Sequence, residues 1–550
     1  MSGSAETSAL VRHFRQIVLW PLQLVPEKHT GKIQRHWVHF SALAENNRWV
    51  EAREGARGDS QEGQQARYRE FVTFLPFVQR FLYGSGVGFG QVSRDAEPST
   101  HLYRREDIAG ARVTYASGVA ATFVVTNVAL YFFLDTDTVV LAFEMSTDDI
   151  PLPLAQETMF RFGRAYPGFW ENGDGAHCPR LVEWLDAGGS VLAASDYGDQ
   201  QRYLDHVATH RAPRLSAHWR YLLEPLQPAD SRHSERLRFR PLEYYRMPFM
   251  AYLAVDDPAA LSRADFARIA HASAPGDHEI GPFSEPALAD FESAYCEDRY
   301  FGRVRGDETS RTRIIASGRV LAMVGRNGDP LFNGRMTGLF AQFRHQYFLL
   351  FLIAHFHRSA LLSMSDQLAV AMNRLEVGDT ESVKQFKRSI RQATEIFLRF
   401  THRYWYHQIS NQDLARSLFQ RTRQHLATQV LYDEVRQEMM DMNGYLDSDS
   451  LRRQANTVLR LTVVTIFAMI GTIATGFLGM NLIAAADDAT LSRVTFFVVV
   501  LVVTALLTAL TIAKSRSLAE LLDTLSNERM GWRERFAALR GARRRRRAPL

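Results

Sequence analysis

Two uncharged apolar runs in tandem constrain this chain more than any other feature. The first, LTVVTIFAMIGTIATGFLGM from Leu461 to Met480, lies between Arg460 and Asp487, an interval without a charged residue. The second, VTFFVVVLVVTALLTALTIA, fills the interval from Arg493 to Lys514 and holds nothing more polar than threonine. Each has about the twenty residues that a helix needs to cross a hydrocarbon core. One such run can be a buried soluble helix, but two in succession, each bounded by charge, are expected to span a membrane.

The flanks set an expected orientation, because positively charged segments tend to stay in the cytoplasm. Arg452, Arg453 and Arg460 precede the first run, and Lys514, Arg516 and the series Arg543 to Arg547 follow the second. The connecting segment NLIAAADDATLSR carries only Asp487, Asp488 and Arg493. Both termini are therefore expected in the cytoplasm of a multi-pass inner-membrane protein, with a short, slightly acidic loop outside.

Charge elsewhere excludes one broad class. From Lys514 onward there are eleven Lys or Arg against four Asp or Glu, a charge of +7 against +5 for the whole chain, so the body carries about −2. A near-neutral body argues against nucleic-acid binding, which needs a basic face on the folded domain. The two cysteines, Cys178 and Cys296, have neither disulfide nor thiolate-metal spacing. No cleaved secretion signal is expected, since QIVLWPLQL near the start is short and interrupted by Pro21.

The 46% hydrophobic content of the 550 residues suffices for a large core. Residues 1–333 read as a cytosolic α/β domain. VAATFVVTNVALYFFLDTDTVVLAFEM and RIIASGRVLAMVG have the alternation of hairpins, whereas SRADFARIAHA and PRLVEWLDAG follow a helical period. EAREGARGDSQEGQQAR is expected as an exposed loop. Residues 334–457 read as a helical bundle and stalk. Its stretch with His345, His355, His357 and Arg358 is too polar for lipid and reads as a buried helix ended by Gly378, with Asp379 and Thr380 opening the next. SNQD, Ser410 to Asp413, has capping-box spacing, and an apolar stripe then runs through Leu414, Leu418, Leu426, Val430, Val435, Met439, Met442 and Leu446. Then follow a first membrane helix (458–481), an outer loop (482–493), a second membrane helix (494–513) and a basic cytosolic tail (514–550).

No catalytic constellation emerges, and the chain is not expected to be an enzyme. The glycines at Gly84, Gly86, Gly88 and Gly90 miss the dinucleotide spacing, and no P-loop lysine follows. His36, His39, His402 and His407 lack metal-ligand spacing. Asp433, Glu434, Asp441, Asp447 and Asp449 can hold hard cations between subunits, although a solvated helix face is the favoured reading.

GMN, Gly479 to Asn481, would stand at the outer end of the first span. Magnesium keeps its water shell, so an asparagine carbonyl and backbone carbonyls freed at a glycine-loosened helix end can grip the hydrated ion. At about 100° per residue, Val458, Leu461, Thr465, Met469, Thr472, Gly476 and Gly479 share a stripe roughly 80° wide. By itself that stripe reads either as a pore face or as a helix-packing face.

Two C-terminal membrane helices, GMN closing the first, a long helix approaching from a large cytosolic domain and a basic end together resemble the CorA family of divalent-cation channels. The resemblance implies a homopentamer in membrane lipid, with a hydrated-ion filter at Gly479, Met480 and Asn481. It implies pore constrictions near Val458, Leu461, Met469 and Thr472, with Thr465 and Gly476 on the same lining. It also implies transport of magnesium, with cobalt or nickel as further cargo, down the electrochemical gradient, no cofactor beyond transported or regulatory magnesium, and a basic ring at the cytosolic pore mouth. Asp487 and Asp488 would gather cations at the outer mouth. The sequence departs from the family at Leu478, where an aromatic usually precedes GMN, at AAADDATL in place of an acidic MPEL-like loop, and in its larger N-terminal region. A zinc or nickel transporter of the ZntB branch is the alternative within transport. Outside transport, the alternative is a membrane-anchored cytosolic sensor.

Overall fold

The computed structural model describes residues 9–479 apart from 26–34, 44–47, 53–60, 85–98, 172–174, 231–236, 244, 277–282, 304–308 and 377–378, together with scattered positions between 491 and 506. It divides into two compact units, Met1–Met439 and Met440–Leu550.

The first unit is built on a fourteen-stranded sheet. Its centre is an antiparallel trio, Ala120–Phe133, Thr138–Pro151 and Leu10–Val25. Nine successive residues from Thr138 to Ser146 are buried, as expected for a strand covered on both faces. Leu10–Val25 contains Pro21, which cannot donate to a ladder. It is accommodated where the neighbouring strand changes from Phe249–Val255 to Arg238–Pro241. Phe249–Val255 runs parallel to Val320–Arg326, so the chain between them must cross over. The helices Arg263–His271 and Glu285–Tyr295 lie in that connection. Both expected hairpins are present, as Ala120–Phe133 with Thr138–Pro151 and Thr309–Ala316 with Val320–Arg326.

Against the central strands lies the core helix Gln346–Asn373. Among the described residues, Leu339–Asn373 is the one helical stretch long and apolar enough to cross a membrane, and 83% of its apolar window is buried within the protein. Two further helices, Thr380–Arg403 and Asp413–His425, pack on it. Asp379 caps the first of these by accepting from the amides of Glu381 and Ser382. Val383, Phe386, Ile390, Phe397 and Phe400 form its buried face.

Two aspartates in the turn of the central hairpin tie sheet to helices. Asp135, held at φ +61°, accepts from Arg399 at 2.9 Å and from Arg403. Asp137 meets His36 Nε2 at 2.8 Å and Gln367 Nε2 at 2.9 Å. Deeper in, Glu144 lies between Arg15 at 2.5 Å and Arg344 at 2.9 Å, so a nearly inaccessible carboxylate stays ionised.

Four sequence expectations are corrected. PRLVEWLDAG contains a strand, Leu181–Leu185, paired with Gly110–Thr114; five residues are too few to separate the two periods. The expected loop at 51–67 gives way at Gln61 to the helix Gln61–Thr73, whose Glu70 is engaged by Tyr83 at 2.6 Å and His345 at 3.0 Å. SNQD forms no capping box: the Ser410 hydroxyl donates to the Thr73 carbonyl at 2.6 Å, and Gln412 precedes the helix without capping it. The box forms instead at Ser262 and Asp265. Finally, the apolar stripe breaks at Ala427, whose φ of +51° ends one helix before the next begins, and this leaves Val430 exposed.

Candidate permeation helix

The long helix Thr428–Gly479 runs from the first unit into the second. At 1.5 Å per residue its 52 residues extend about 78 Å. It passes Gly444, where an added β-carbon would meet no atom within 4 Å. In its first turns Val435, Met439 and Leu446 are buried, whereas Asp433, Glu434, Asp441 and Asp447 are exposed. Burial, then the neighbouring Glu434, raises the pKa of Glu438. The side chain of Asp449 lies outside the described residues.

Further along, apolar composition and exposure coincide. Val458 is 62% exposed, Leu461 66% and Met469 56%, and Thr465, Thr472 and Gly476 on the same stripe are exposed as well. The other side of the helix is covered: Val463 is 3% exposed and Gly471 is buried. The open arc is wider than the stripe, since it takes in Ile466. Nothing in the sequence marked Val463 and Gly471 as the covered side except that one of them is small.

The threonines of the stripe are arranged in one sense. Thr465 Oγ1 donates to the Leu461 carbonyl at 2.8 Å, and Thr472 Oγ1 donates to the Ala468 carbonyl at 3.0 Å. With its proton committed to the helix, each hydroxyl keeps only lone pairs to offer outward. It can therefore accept from water but not donate to it, which is the polarity that a hydrated cation requires. Gly479 is the last described residue of the helix. Met480, Asn481, Asp487 and Asp488 lie outside the described residues, as does most of the second apolar run, whose described positions from 491 to 506 are helical.

Elsewhere, His36 is engaged by Asp137, and no group of three metal-ligating side chains occurs among the described residues. Gly84, with φ +81°, closes the helix Pro76–Tyr83, and the rest of its glycine run lies outside the described residues. One trio has the residue types of a hydrolytic site. Ser216 Oγ lies 2.9 Å from His218 Nδ1 and 3.0 Å from Asp196. The carboxylate contacts the serine instead of orienting the histidine, and Ser216 and His218 are fully buried. Burial holds His218 neutral, its pKa pushed down to about 3. The trio joins Asp196 to the start of the helix Ala217–Leu223, where Asp196 also accepts from the Ala217 amide at 2.8 Å.

No curated protein matches the chain. Residues 366–514 match the family model described as CorA-like Mg2+ transporter protein, a segment that takes in the end of the core helix, both helices packed on it and the whole long helix. The match spans 149 of the 550 residues, so it is the C-terminal part of the chain that is similar to this family of Mg2+ transporters.

Proposed function

We propose that this protein is a homopentameric channel that conducts magnesium into the cell, with residues 461–480 and 494–513 as its two membrane spans. The single observation that carries this reading is the exposed stripe from Val458 to Gly476, which lies on the side of the helix away from the covered Val463 and Gly471. Five such stripes around an axis bury one another and enclose a conduit. The family match supports the coarse function, and the filter rests on GMN and its place after the apolar run.

In this reading the ion enters with its water. Asp487 and Asp488 raise the local cation concentration. Asn481 carbonyls, with backbone carbonyls freed where glycine loosens the helix end, accept hydrogen bonds from the hydration shell. Thr472 and Thr465 present further acceptors inward. Met469, Leu461 and Val458 narrow the passage with apolar groups, which empty of water when drawn together and so close it. An inside-negative potential of about 100 mV contributes about 4.6 kcal/mol to the entry of a divalent ion, so no nucleotide is needed.

The test is flux into liposomes that hold a magnesium indicator under an inside-negative potential, with magnesium, cobalt, nickel and zinc offered in turn to wild type and to Asn481→Ala. Magnesium influx in wild type that drops at least about tenfold in the variant is expected, a loss of about 1.4 kcal/mol or more of filter stabilisation. Zinc or nickel influx alone assigns the protein to the ZntB-like alternative. Silence to every ion from reconstituted pentamers leaves the anchored sensor.

A further inference from the structure

The first unit contains a cavity that the transport reading does not use. It has a volume of about 250 Å³ and lies where the helix Pro76–Tyr83, the strands Thr100–Arg105 and Ala120–Phe133, and the core helix Gln346–Asn373 meet. Phe81, Leu102, Tyr131, Phe133, Leu352 and Ile353 form its apolar walls, each of them at least nine-tenths buried. These walls are held from behind. Phe133 stacks on Phe356 at 3.9 Å, Phe81 packs on Tyr404 at 5.2 Å, and the Thr100 hydroxyl joins sheet to helix by donating to the Phe81 carbonyl at 3.5 Å. A wall packed on its far side is not free to move inward, so the space is preorganised for a ligand.

A few polar groups complete the lining. Glu51, the last residue of the strand Trp49–Glu51, joins His101 and Thr100 there. The His101 ring stacks on Trp37 at 4.5 Å, and its Nδ1 lies 3.2 Å from Glu51 Oε1. Tyr83 also lines the cavity, but its hydroxyl is turned to Glu70 at 2.6 Å. Among the described residues of the lining Glu51 is the one carboxylate, and no arginine or lysine pairs with it. Its side chain is 43% exposed, so it keeps contact with water while facing an apolar space. An apolar cavity with a small number of polar groups on its lining is the usual form of a small-molecule site.

We propose that this cavity binds a small primary amine, its apolar body among Phe81, Phe133 and Leu352 and its ammonium group at Glu51. An ionised carboxylate only accepts hydrogen bonds, so it calls for a donor, and a cationic donor makes the bond charge-assisted. A carboxylic acid of the same shape would bring a second negative charge to Glu51. The volume lies below the roughly 300 Å³ at which sites for drug-sized molecules begin, so the body is a single ring or a short chain. The site lies in residues 51–353, outside the family match, and does not depend on the channel reading.

Calorimetric titration of the full-length protein in detergent with phenethylamine, phenethyl alcohol and phenylacetate, each against matched detergent, tests this. The three share one body and differ in the head group. Saturable binding of the amine is expected, with the alcohol about tenfold weaker or more and the acid weaker still. Glu51→Gln should bring the amine down to the affinity of the alcohol, because the body keeps its cavity and the ammonium loses its counter-charge. Leu102→Trp should weaken amine and alcohol alike by filling the cavity. If that variant fails to fold, Glu51→Gln, a change on a partly exposed side chain, still decides. No saturable binding of the amine, equal affinities for amine and alcohol, or amine binding unchanged in Glu51→Gln overturns the proposal.

Discussion

The core helix Gln346–Asn373 and the distal part of the long helix, from Val458 to Gly479, are alike in composition and opposite in circumstance. Both are rich in aliphatic residues. In the core helix Leu350, Phe351, Leu352, Ile353 and Phe356 are almost inaccessible, with His355 and His357 buried among them. In the long helix Val458, Leu461 and Met469 stand open. Apolarity is a statement about what a segment avoids. Whether its own chain, a second copy or lipid satisfies that avoidance is decided by what else is within reach.

Substitutions in the two helices should therefore report different quantities. The largest expected effect is on the stability of the first unit. Phe356→Ala removes a ring stacked 3.9 Å from Phe133 and should cost about 3–5 kcal/mol, read as a shift in the urea midpoint of tryptophan fluorescence. A cost below about 1 kcal/mol would mean that the core helix is not the centre of that unit.

Next comes the clamp between sheet and helices. Asp135→Ala leaves Arg399 and Arg403 without their carboxylate and places a β-carbon residue without local side-chain support at a positive φ. Because both arginines are partly exposed, about 1–3 kcal/mol is expected in the same assay. Asp135→Asn keeps a residue tolerant of that backbone and should lose less.

Acid should separate the two helices further. Burial pushes the pKa of His355 and of His357 down to about 3 from an ordinary 6.5, with Arg358 and Arg423 respectively adding to the effect. Below pH 6.5 the unfolded chain takes up protons that the folded unit does not. Stability therefore falls as the pH drops towards 3, by up to about 1.4 kcal/mol per pH unit for each histidine. Replacing His355 by Leu should reduce the slope of urea midpoint against pH by one proton; an unchanged slope would show that His355 is protonated in the folded state.

The smallest effect on stability is expected in the long helix, where Met469→Ala should move the urea midpoint of the first unit by less than about 0.5 kcal/mol. The same substitution should alter ion flux in liposomes, because a wider, less apolar constriction changes how readily the passage empties of water. Loss of stability without a change of flux would reverse the contrast between the two helices.

Much of the fold was legible. The two hairpins, the helix Arg263–His271 and the buried character of the core helix were visible in alternation, period and the histidines that exclude lipid. The errors have local causes. Leu181–Leu185 is too short for its period to be resolved, and Glu70 in the helix Gln61–Thr73 looks like surface until Tyr83 and His345 reach it. Ser410 has the right neighbours for a cap but meets the carbonyl of Thr73, more than three hundred residues earlier.

The sequence by itself determined the place and length of two uncharged runs, the charges that bound them, and a GMN after the first. These are properties of neighbouring residues and need no partner from elsewhere in the chain. Tertiary structure alone decided which apolar helix is consumed by the core, which side of the long helix is covered, and which charges find one another across the sheet. Those outcomes depend on surfaces brought together from distant parts of the chain, and periodicity carries no record of them.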